Sequence, residues 1–228
     1  MRDLKTNHLI KPSGQNYSEN FSEIGKGIFV GRILSNKFCD EVLKRVKQYQ
    51  HEKTLDQIES ANSMHYDAIM VDQIGLKPLV NSFVRLCVDE ISSEILPEML
   101  RQPFDNIHSY VVRYSDQLDR ELGFHVDNSL LTINLCLNDG FLGSELVFEG
   151  ERCPSHIDTL CAESERVCIE HKKGFMVLHH GKNRHYVNSI ISGERYNLII
   201  WCQNDNENSR WFDALSSHEC MEFCAFGD

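Results

Sequence analysis

The chain of 228 residues is 41% hydrophobic and carries 34 acidic against 23 basic residues, for a formal net charge of −11. This length and composition suit one globular domain with a sizeable core, and two full domains would be tight. The negative charge repels phosphate backbones and argues against nucleic-acid binding, and no apolar run approaches the length of a membrane span.

Cysteine usage indicates a reducing compartment. The chain has nine cysteines, an odd number, and its first residues mix Arg2, Asp3 and Lys5 without the apolar stretch of a secretory signal. Structural disulfides persist mainly in oxidising compartments. We therefore expect reduced cysteines and a cytoplasmic protein.

The beginning of the chain predicts a lead-in, a strand and a helix. Residues 1–26 are polar and include a run of turn-forming residues, so we expect a flexible or loosely packed segment. A short apolar strand is predicted at residues 27–30. Ser35 then suits a helix N-cap, because apolar residues follow it at helical spacing, namely Cys39, Val42, Leu43, Val46 and Tyr49.

A second strand and a second helix follow. Residues 65–71 have the pattern of a strand. Beyond them, apolar residues recur every three or four positions and stop before Pro97, which predicts an amphipathic helix through Leu76, Leu79, Val80, Phe83, Cys87, Ile91 and Ile95. We expect both helices to pack against the outer face of a sheet.

From Asn106 onward the pattern changes to short β-rich runs separated by turn residues. We predict eight strands, at residues 107–114, 122–126, 130–138, 144–149, 166–170, 174–179, 184–190 and 194–202. Eight such runs are typical of a jelly roll of two packed sheets. The predicted fold class is therefore α+β and mainly β, with a cupin-like double-stranded β-helix buttressed by the N-terminal helices.

The predicted organisation has a single domain at residues 27–202, between the lead-in of residues 1–26 and an extension of residues 203–228. The extension opens polar and ends in the apolar run Phe223-Cys224-Ala225-Phe226. That run favours a helix packed on the domain.

Three residues have the chemistry and spacing of a metal site. His125 and Asp127 are two apart in a run bounded by apolar residues, so on a strand their side chains point to the same face. The third ligand must come from a distant strand, and His185 qualifies. Two imidazoles and one carboxylate on one face of a metal leave other positions open, an arrangement diagnostic of non-haem Fe(II) oxygenases. We predict that His125, Asp127 and His185 bind one Fe(II) ion.

Arg195 is the candidate binding residue for an acidic co-substrate. The turn signal Ser192-Gly193 lies between two apolar runs, which predicts a hairpin that brings Arg195 back near the metal. A planar guanidinium can bind a carboxylate through two N–H donors. The predicted catalytic set is therefore the three metal ligands together with Arg195.

These residues carry a family resemblance. The pattern of His125-x-Asp127, a distal His185 and then Arg195 is similar to that of the 2-oxoglutarate/Fe(II) oxygenases, and among them to the prolyl and lysyl hydroxylase branch. The chain resembles in particular the 2-oxoglutarate and iron-dependent oxygenase domain-containing protein 2 group and its plant relatives. The resemblance covers roughly residues 27–202 and extends to the runs at residues 62–64, 111–114, 123–138, 145–150 and 197–202.

The resemblance implies a dioxygenase that hydroxylates an unactivated C–H bond. It implies Fe(II), 2-oxoglutarate and O2, with ascorbate as an added reductant, and oxidative decarboxylation of 2-oxoglutarate to succinate and CO2. By analogy with the branch, the substrate would be a side chain of a protein or peptide. The chain departs from the family pattern at Gly143-Ser144, where the family usually has Gly-Gly. The oligomeric state stays open.

Further contacts to 2-oxoglutarate are expected from Tyr114, Thr132 and Asn134. In the lysyl and prolyl hydroxylases, a tyrosine placed like Tyr114 contacts the co-substrate. Thr132 and Asn134 are two apart and share one strand face. Polar groups on an inward barrel face need partners, which a bound dicarboxylate would supply. The alternative is that Tyr114 caps the core and Thr132 merely suits a strand.

Two other sets of ligand-type residues compete with this assignment. His179 and His180 end an apolar run, and neither lies ten residues before an arginine, so we interpret them as a polar strand end. A second metal is raised by Cys202, His218, Cys220 and Cys224. These four lack the paired C-x2-C spacing of a strong zinc motif, which favours scattered buried thiols.

Other functions stay open on the same fold. One is hydroxylation of a free amino acid or another small molecule. Another is demethylation of nucleic acid, but such enzymes typically add a second arginine shortly after the co-substrate arginine, and residues 196–201 contain none. The last is a non-catalytic jelly-roll binding module, against which the intact ligand set argues.

Overall fold

The computed structural model of the chain describes residues 8–10, 16–53, 65–66, 68–96, 104–204, 220 and 224. Within these ranges the α-helices are α1 (Asn36–Glu52), α2 (Lys77–Phe83) and α3 (Asp89–Ile95). The strands are β1 (Phe21–Gly25), β2 (Ile28–Gly31), β3 (Ala68–Met70), β4 (Asn106–Ser115), β5 (Leu122–His125), β6 (Leu131–Cys136), β7 (Leu142–Gly143), β8 (Leu146–Glu151), β9 (Arg166–Ile169), β10 (Met176–His180), β11 (Asn183–Val187), β12 (Ile190–Ser192) and β13 (Glu194–Gln203).

Helix α1 begins where the sequence predicts it. The Ser35 side chain accepts a hydrogen bond from the Phe38 backbone N–H, so it occupies one of the donors that a helix leaves unpaired at its start. The face of α1 that carries Phe38, Cys39, Val42 and Val46 is buried.

The second predicted helix is interrupted. A π-helical turn at Val84–Val88 separates α2 from α3, and the helical segment still ends at Ile95, ahead of Pro97. Apolar residues at steps of three and four fit both a continuous helix and one with a π turn, because the buried face persists in both. Spacing alone therefore could not locate the interruption.

The strands form two main sheets. The larger has seven strands in the order β1-β2-β10-β6-β13-β4-β3, and the smaller has four in the order β5-β11-β8-β9. Strands β7 and β12 form a short additional pair. From β4 to β13 the chain crosses repeatedly between the two sheets, and its strand pairs are antiparallel. This is the double-stranded β-helix, or jelly roll, that the sequence predicts.

Each face of the seven-stranded sheet packs against a different partner. Alternate residues of β6 such as Ile133 and Leu135 join the helical side chains in one apolar cluster, so the helices cover the outer face as expected. The other face contributes Val112 and Val177 to a second cluster, which Phe148 and Val187 of the smaller sheet complete. The interior of the barrel lies between the two sheets.

Most strand predictions are confirmed, with local differences. The predicted run at residues 184–190 divides into β11 and β12, and in the described part of residues 65–71 the strand is Ala68–Met70. Residues 21–25, which fall within the predicted lead-in, form β1, and the sequence pattern missed this strand. Strand β1 pairs with β2 at the sheet edge, where side chains can face solvent and no apolar alternation is required.

The extension predicted at residues 203–228 is described at Gln203, Asn204, Cys220 and Cys224, so its predicted helix lies outside the described residues. Over the described ranges, no helix combines the length and the apolar character that crossing a bilayer requires.

Candidate metal centre

Neighbouring strands of the smaller sheet bring the three predicted ligands together. His125 at the end of β5 lies directly opposite His185 in β11. Asp127 follows two residues after His125, and its backbone N–H donates to the Gly181 carbonyl at 2.7 Å. The ligand atoms of His125, Asp127 and His185 all lie within 4.8 Å of one another.

The ring orientations leave one nitrogen of each histidine directed at the carboxylate. His125 Nε2 lies 3.4 Å from Asp127 Oδ1, and His185 Nε2 lies 3.7 Å from Asp127 Oδ2. The opposite nitrogens face backbone carbonyls, with His125 Nδ1 at 2.7 Å from the Gly123 oxygen and His185 Nδ1 at 2.8 Å from the Asn183 oxygen. A carbonyl favours the proton on Nδ1, so Nε2 is the nitrogen of each ring that can bind a metal once it carries no proton.

The charge state of the group also suits a cation. Burial alone would raise the pKa of Asp127, but its electrostatic interactions with the His185 and His125 rings and a hydrogen bond with His125 outweigh burial and hold the pKa well below its usual range. Burial and the neighbouring His125 lower the pKa of His185 to about 3. A carboxylate and a neutral imidazole are the forms that bind metals. Two imidazoles and a carboxylate on one side fit Fe(II) with open positions.

Asp127 is held by residues from outside the ligand set. Thr132 Oγ1 donates to Asp127 Oδ2 at 2.6 Å, and Lys182 Nζ donates to the Asp127 backbone carbonyl at 2.9 Å. Burial lowers the pKa of Lys182 to about 8. Thr132 was predicted to contact the co-substrate, and its hydroxyl is here engaged with the carboxylate that faces the two imidazoles.

His179 and His180 occupy different surroundings. His179 is fully buried, lies 3.9 Å from Asp127 Oδ2 through its Nε2, and packs edge-on against Phe148 with ring centroids 4.8 Å apart. His180 Nδ1 lies 2.8 Å from Glu151 Oε1. His179 belongs to the larger sheet, across the barrel interior from the strand that carries His185. Its closeness to Asp127 could not be read from the sequence.

Tyr114, Thr132 and Asn134 line the same cavity as the three metal-binding candidates. The cavity lies between the two sheets, and Tyr114 is fully buried there, where burial raises the pKa of its hydroxyl. His65 also lines this cavity, with its ring centroid 5.3 Å from that of Tyr114. Tyr114, Thr132 and Asn134 therefore line one space with the candidate metal ligands, and Arg195 is not among its lining residues.

Arg195 is buried behind that cavity. Its Nε donates to Asn197 Oδ1 at 2.8 Å, its Nη1 donates to the Ser144 carbonyl and hydroxyl, and its Nη2 lies 2.9 Å from His171 Nδ1. The guanidinium carbon lies 5.4 Å from the Tyr114 ring centroid. In the described part of the chain Arg195 forms no ion pair with a carboxylate, so this buried cation has only neutral partners.

Sequence reasoning missed His171. Burial and the neighbouring Arg195 hold the pKa of His171 well below its ordinary value, so its ring is neutral and Nδ1 can accept from Arg195. His171 lies in the loop between β9 and β10, where no pattern marks it. Ser144 was noticed only as a departure from a glycine pair, and its φ of 63° places it in the left-handed region that glycine adopts without strain.

Of the four residues first considered for a second metal, Cys220 and Cys224 fall in one group of possible ligands among the described residues, without Cys202. Cys202 is buried within β13 in the helix-side core, and His218 lies outside the described residues. Cys220 and Cys224 instead meet two residues that the sequence reasoning did not select, Cys153 and His156.

Comparisons with known proteins were made on the sequence and on the fold. No family model matches the chain. A 2-oxoglutarate and iron-dependent oxygenase domain-containing protein of Arabidopsis thaliana is 32% identical over 199 residues, which are 85% of this chain and 49% of that protein. The 2-oxoglutarate and iron-dependent oxygenase domain-containing protein 2 of Mus musculus is 28% identical over 205 residues, 89% of this chain and 57% of that protein. The chain thus spans about half the length of these curated relatives.

Two solved structures share the fold. A prolyl-4-hydroxylase from Pseudomonas putida superposes with a TM-score of 0.59 at 14% identity, over 78% of this chain and 92% of that one. A prolyl hydroxylase from Trichoplax adhaerens, in complex with a hypoxia inducible factor oxygen degradation domain peptide fragment, gives a TM-score of 0.54 at 16% identity, over 81% and 86%. At such identities the likeness shows the fold.

Proposed function

Since this chain is a homologue of the 2-oxoglutarate and iron-dependent oxygenase domain-containing proteins, we propose that it is an Fe(II)- and 2-oxoglutarate-dependent dioxygenase that hydroxylates an unactivated C–H bond. The observation that carries the proposal is the group of His125, Asp127 and His185, whose ligand atoms lie within 4.8 Å of one another at the interior of a jelly roll. Bound iron and 2-oxoglutarate would supply the oxygen activation, with succinate and CO2 as co-products.

The residues of this chain would bind the iron and orient its ligands. His125 and His185 bind through Nε2, because the Gly123 and Asn183 carbonyls hold their Nδ1 protons. Asp127 supplies the anionic ligand, and Thr132 orients its carboxylate. The apolar side chains between the sheets limit the entry of water to this space.

Arg195 binds the far carboxylate of 2-oxoglutarate in this proposal. Its support is a fully buried guanidinium that has amide, hydroxyl and imidazole partners but no acidic one in the described chain. Tyr114 and Asn134 contact the co-substrate from the same cavity, beside the metal. The side-chain amide of Asn134 accepts from Asn197, which in turn accepts from Arg195, so the arginine and the cavity wall form one polar network.

The proposed substrate is a side chain of a protein or peptide. Its support is the resemblance of the fold to prolyl hydroxylases, one of which was solved with a peptide. We expect no nucleic-acid substrate, because the chain carries a net charge of −11.

We also propose a catalytic domain at residues 27–202, with the extension of residues 203–228 packed on it, and a cytoplasmic location.

The test has two stages. The iron-loaded chain is first incubated with 2-oxoglutarate and oxygen, and succinate formation is compared with that of the Asp127→Ala variant. We expect succinate that depends on iron and is lost in the variant. Peptides and free amino acids are then screened for a mass increase of one oxygen atom. Binding of 2-oxoglutarate without any succinate above the variant would instead support a non-catalytic module, and an oxidised free amino acid would replace the peptide substrate with a small molecule.

A further inference from the structure

A second cluster of metal-type ligands lies outside the candidate iron site. Cys153, His156, Cys220 and Cys224 each direct one ligand atom to a common point, and these atoms all lie within 4.8 Å of one another. His156 Nδ1 lies 3.2 Å from Cys153 Sγ and 3.5 Å from Cys224 Sγ. No role in the proposed oxygenase reaction involves any of the four.

The distances of 3.2 and 3.5 Å are within about 0.3 Å of the edges of a zinc tetrahedron. With Zn–S and Zn–N bonds of about 2.3 and 2.0 Å, ligand atoms around one zinc ion lie about 3.5 to 3.8 Å apart. Three thiolates and one imidazole form one of the common structural zinc sets, and the C-x3-C spacing of Cys220 and Cys224 is typical of such sites. The pairing of the two short motifs is visible only in the fold, since His156 and Cys220 are 64 residues apart in the sequence.

Hydrogen bonds and an ion pair define the loop that carries the first pair. Cys153 precedes a single 3-10 turn at Pro154–His156, which His156 ends, and the His156 N–H donates to the Cys153 carbonyl at 3.0 Å. Arg152 is buried and binds both carboxylate oxygens of Glu165 at 2.7 and 2.8 Å, which closes the base of the loop. Two ligands are therefore held in place before the second pair arrives.

Burial separates this cluster from a chance group of surface thiols. Cys153 is completely buried and Cys224 is 5% exposed, although Cys224 belongs to the C-terminal extension. Cys220 is exposed and His156 is half-buried. A site with two ligands inside and two at the surface would close over an ion while leaving it a path of entry.

We propose that Cys153, His156, Cys220 and Cys224 bind one structural zinc ion, which fastens the C-terminal extension to the loop between β8 and β9. All four positions are protein ligands, so the site is closed and has no open coordination position for catalysis. The thiols lose their protons on binding, and the zinc ion replaces those protons as their partner. The role of this ion is to cross-link two distant segments of the chain.

The first experiment measures zinc in a background where the candidate iron site is disabled. The Asp127→Ala chain is purified from zinc-supplemented cells, dialysed against a weak chelator and analysed for metal content. We expect about one zinc per chain, and less than about a tenth of that after adding Cys153→Ser or Cys224→Ser, because a closed site does not tolerate loss of a thiolate. The matched control is Cys161→Ser, in the same loop but outside the cluster, which should retain the full content.

The second experiment identifies the ligands without depending on zinc retention. Cobalt(II) is added to the metal-free Asp127→Ala chain, and absorption is recorded. Thiolate-to-cobalt charge transfer and strong tetrahedral bands are expected, and sulfur-free ligands cannot give the former. His156→Cys should retain metal binding as a four-thiolate site, whereas His156→Ala should lose it. Because the variants share the Asp127→Ala change, failure of the iron proposal would leave these readings intact.

Three outcomes would overturn the proposal. One is a zinc content that Cys153→Ser and Cys224→Ser leave unchanged. Another is a cobalt spectrum without thiolate charge transfer in a folded chain. The third is a disulfide among Cys153, Cys220 and Cys224 in protein purified anaerobically, detected by peptide mapping of the alkylated chain.

Discussion

At the scale of single residues, the candidate iron site depends on hydrogen bonds that decide which ring nitrogen is available. The Gly123 and Asn183 carbonyls each occupy the Nδ1 side of a histidine, and both Nε2 atoms converge on Asp127. His125 and Asp127 could be found from their spacing of two residues. The contacts with the two carbonyls could not be predicted, because a backbone carbonyl can accept a hydrogen bond whatever the residue type.

Removal of one ligand should abolish iron binding. We expect that Asp127→Ala or His185→Ala eliminates iron binding and turnover, because two remaining ligands do not define a facial site. The fold should persist in Asp127→Ala, since the backbone of residue 127 keeps its hydrogen bonds to Gly181 and Lys182. Anaerobic iron titration with circular dichroism as the fold control measures both. Wild-type stoichiometry in either variant would remove that residue from the ligand set.

Iron binding should weaken in mild acid. Burial opposes the protonated form of His125, but the hydrogen bond and charge of Asp127 outweigh it, so the pKa of His125 is raised. A proton on His125 must leave before iron binds, so affinity falls as the pH drops through that pKa. The expected loss is about tenfold per pH unit per displaced proton. Isothermal titration at several pH values tests this, and a pH-independent affinity between pH 5 and 7, about the range where an imidazole titrates, would contradict it.

Arg195 should control the affinity for 2-oxoglutarate. Hydrogen bonds to charged groups contribute roughly 1.5–3 kcal/mol each, and a bidentate pair makes two. Arg195→Ala should therefore raise the required concentration of 2-oxoglutarate by about 100-fold or more, and Arg195→Lys should recover part of the loss.

The measurement is 2-oxoglutarate binding to the iron-loaded protein. Iron affinity serves as the internal control, since Arg195 is not a ligand. Because Arg195 also binds Ser144, Asn197 and His171, thermal melts must first show that each variant is folded. Unchanged 2-oxoglutarate affinity in folded Arg195→Ala would refute the assignment.

At the scale of elements, the spacing of apolar residues predicted the strands and helices that have a buried face. It missed the features that depend on local backbone conformation. Strands β4, β6, β10 and β13 could be predicted because one face packs on helices and the other lines the barrel. The π turn at Val84–Val88 and the polar edge strand β1 could not, since neither changes which residues are buried. The meeting of Cys153 with Cys224 depends on tertiary packing across the length of the chain.

The turn between β7 and β8 offers a test of backbone conformation. Ser144 has a positive φ of 63° and gives Arg195 both a carbonyl and a hydroxyl acceptor. Alanine and glycine at this position both lack the hydroxyl and differ in their freedom to adopt positive φ. The free energy of unfolding of Ser144→Gly should therefore be about 1 kcal/mol higher than that of Ser144→Ala.

The control for that comparison is Ser22, an exposed position in β1. There the order should reverse, because glycine in a strand costs about 0.5–1 kcal/mol relative to alanine. Chemical denaturation of the four variants supplies the values. The same order at both positions would show that positive φ is not what distinguishes Ser144.

At the scale of the whole molecule, we expect none of the nine cysteines to form a disulfide. The structure records each of them as a free cysteine, and Cys39, Cys87, Cys136 and Cys202 are buried. Denatured protein, prepared without reductant and with a metal chelator, should react with nine equivalents of a thiol reagent. A fully reduced sample is the control. Seven or fewer equivalents in fresh protein would indicate a disulfide, at two thiols lost per bond.

The pairing of β4 with β13 bears on how the chain reaches this structure. Ten consecutive residue pairs join these strands, and the outermost pair, Asn106 and Gln203, are 97 residues apart in sequence. Bringing such distant ends together costs roughly 4 kcal/mol of chain entropy beyond the constant for closing any loop. Folding dominated by such non-local contacts takes milliseconds to seconds in small β proteins. During synthesis, β4 must therefore wait until β13 has left the ribosome. Until then, the edge of β4 that pairs with β13 is open to incorrect pairing with another strand.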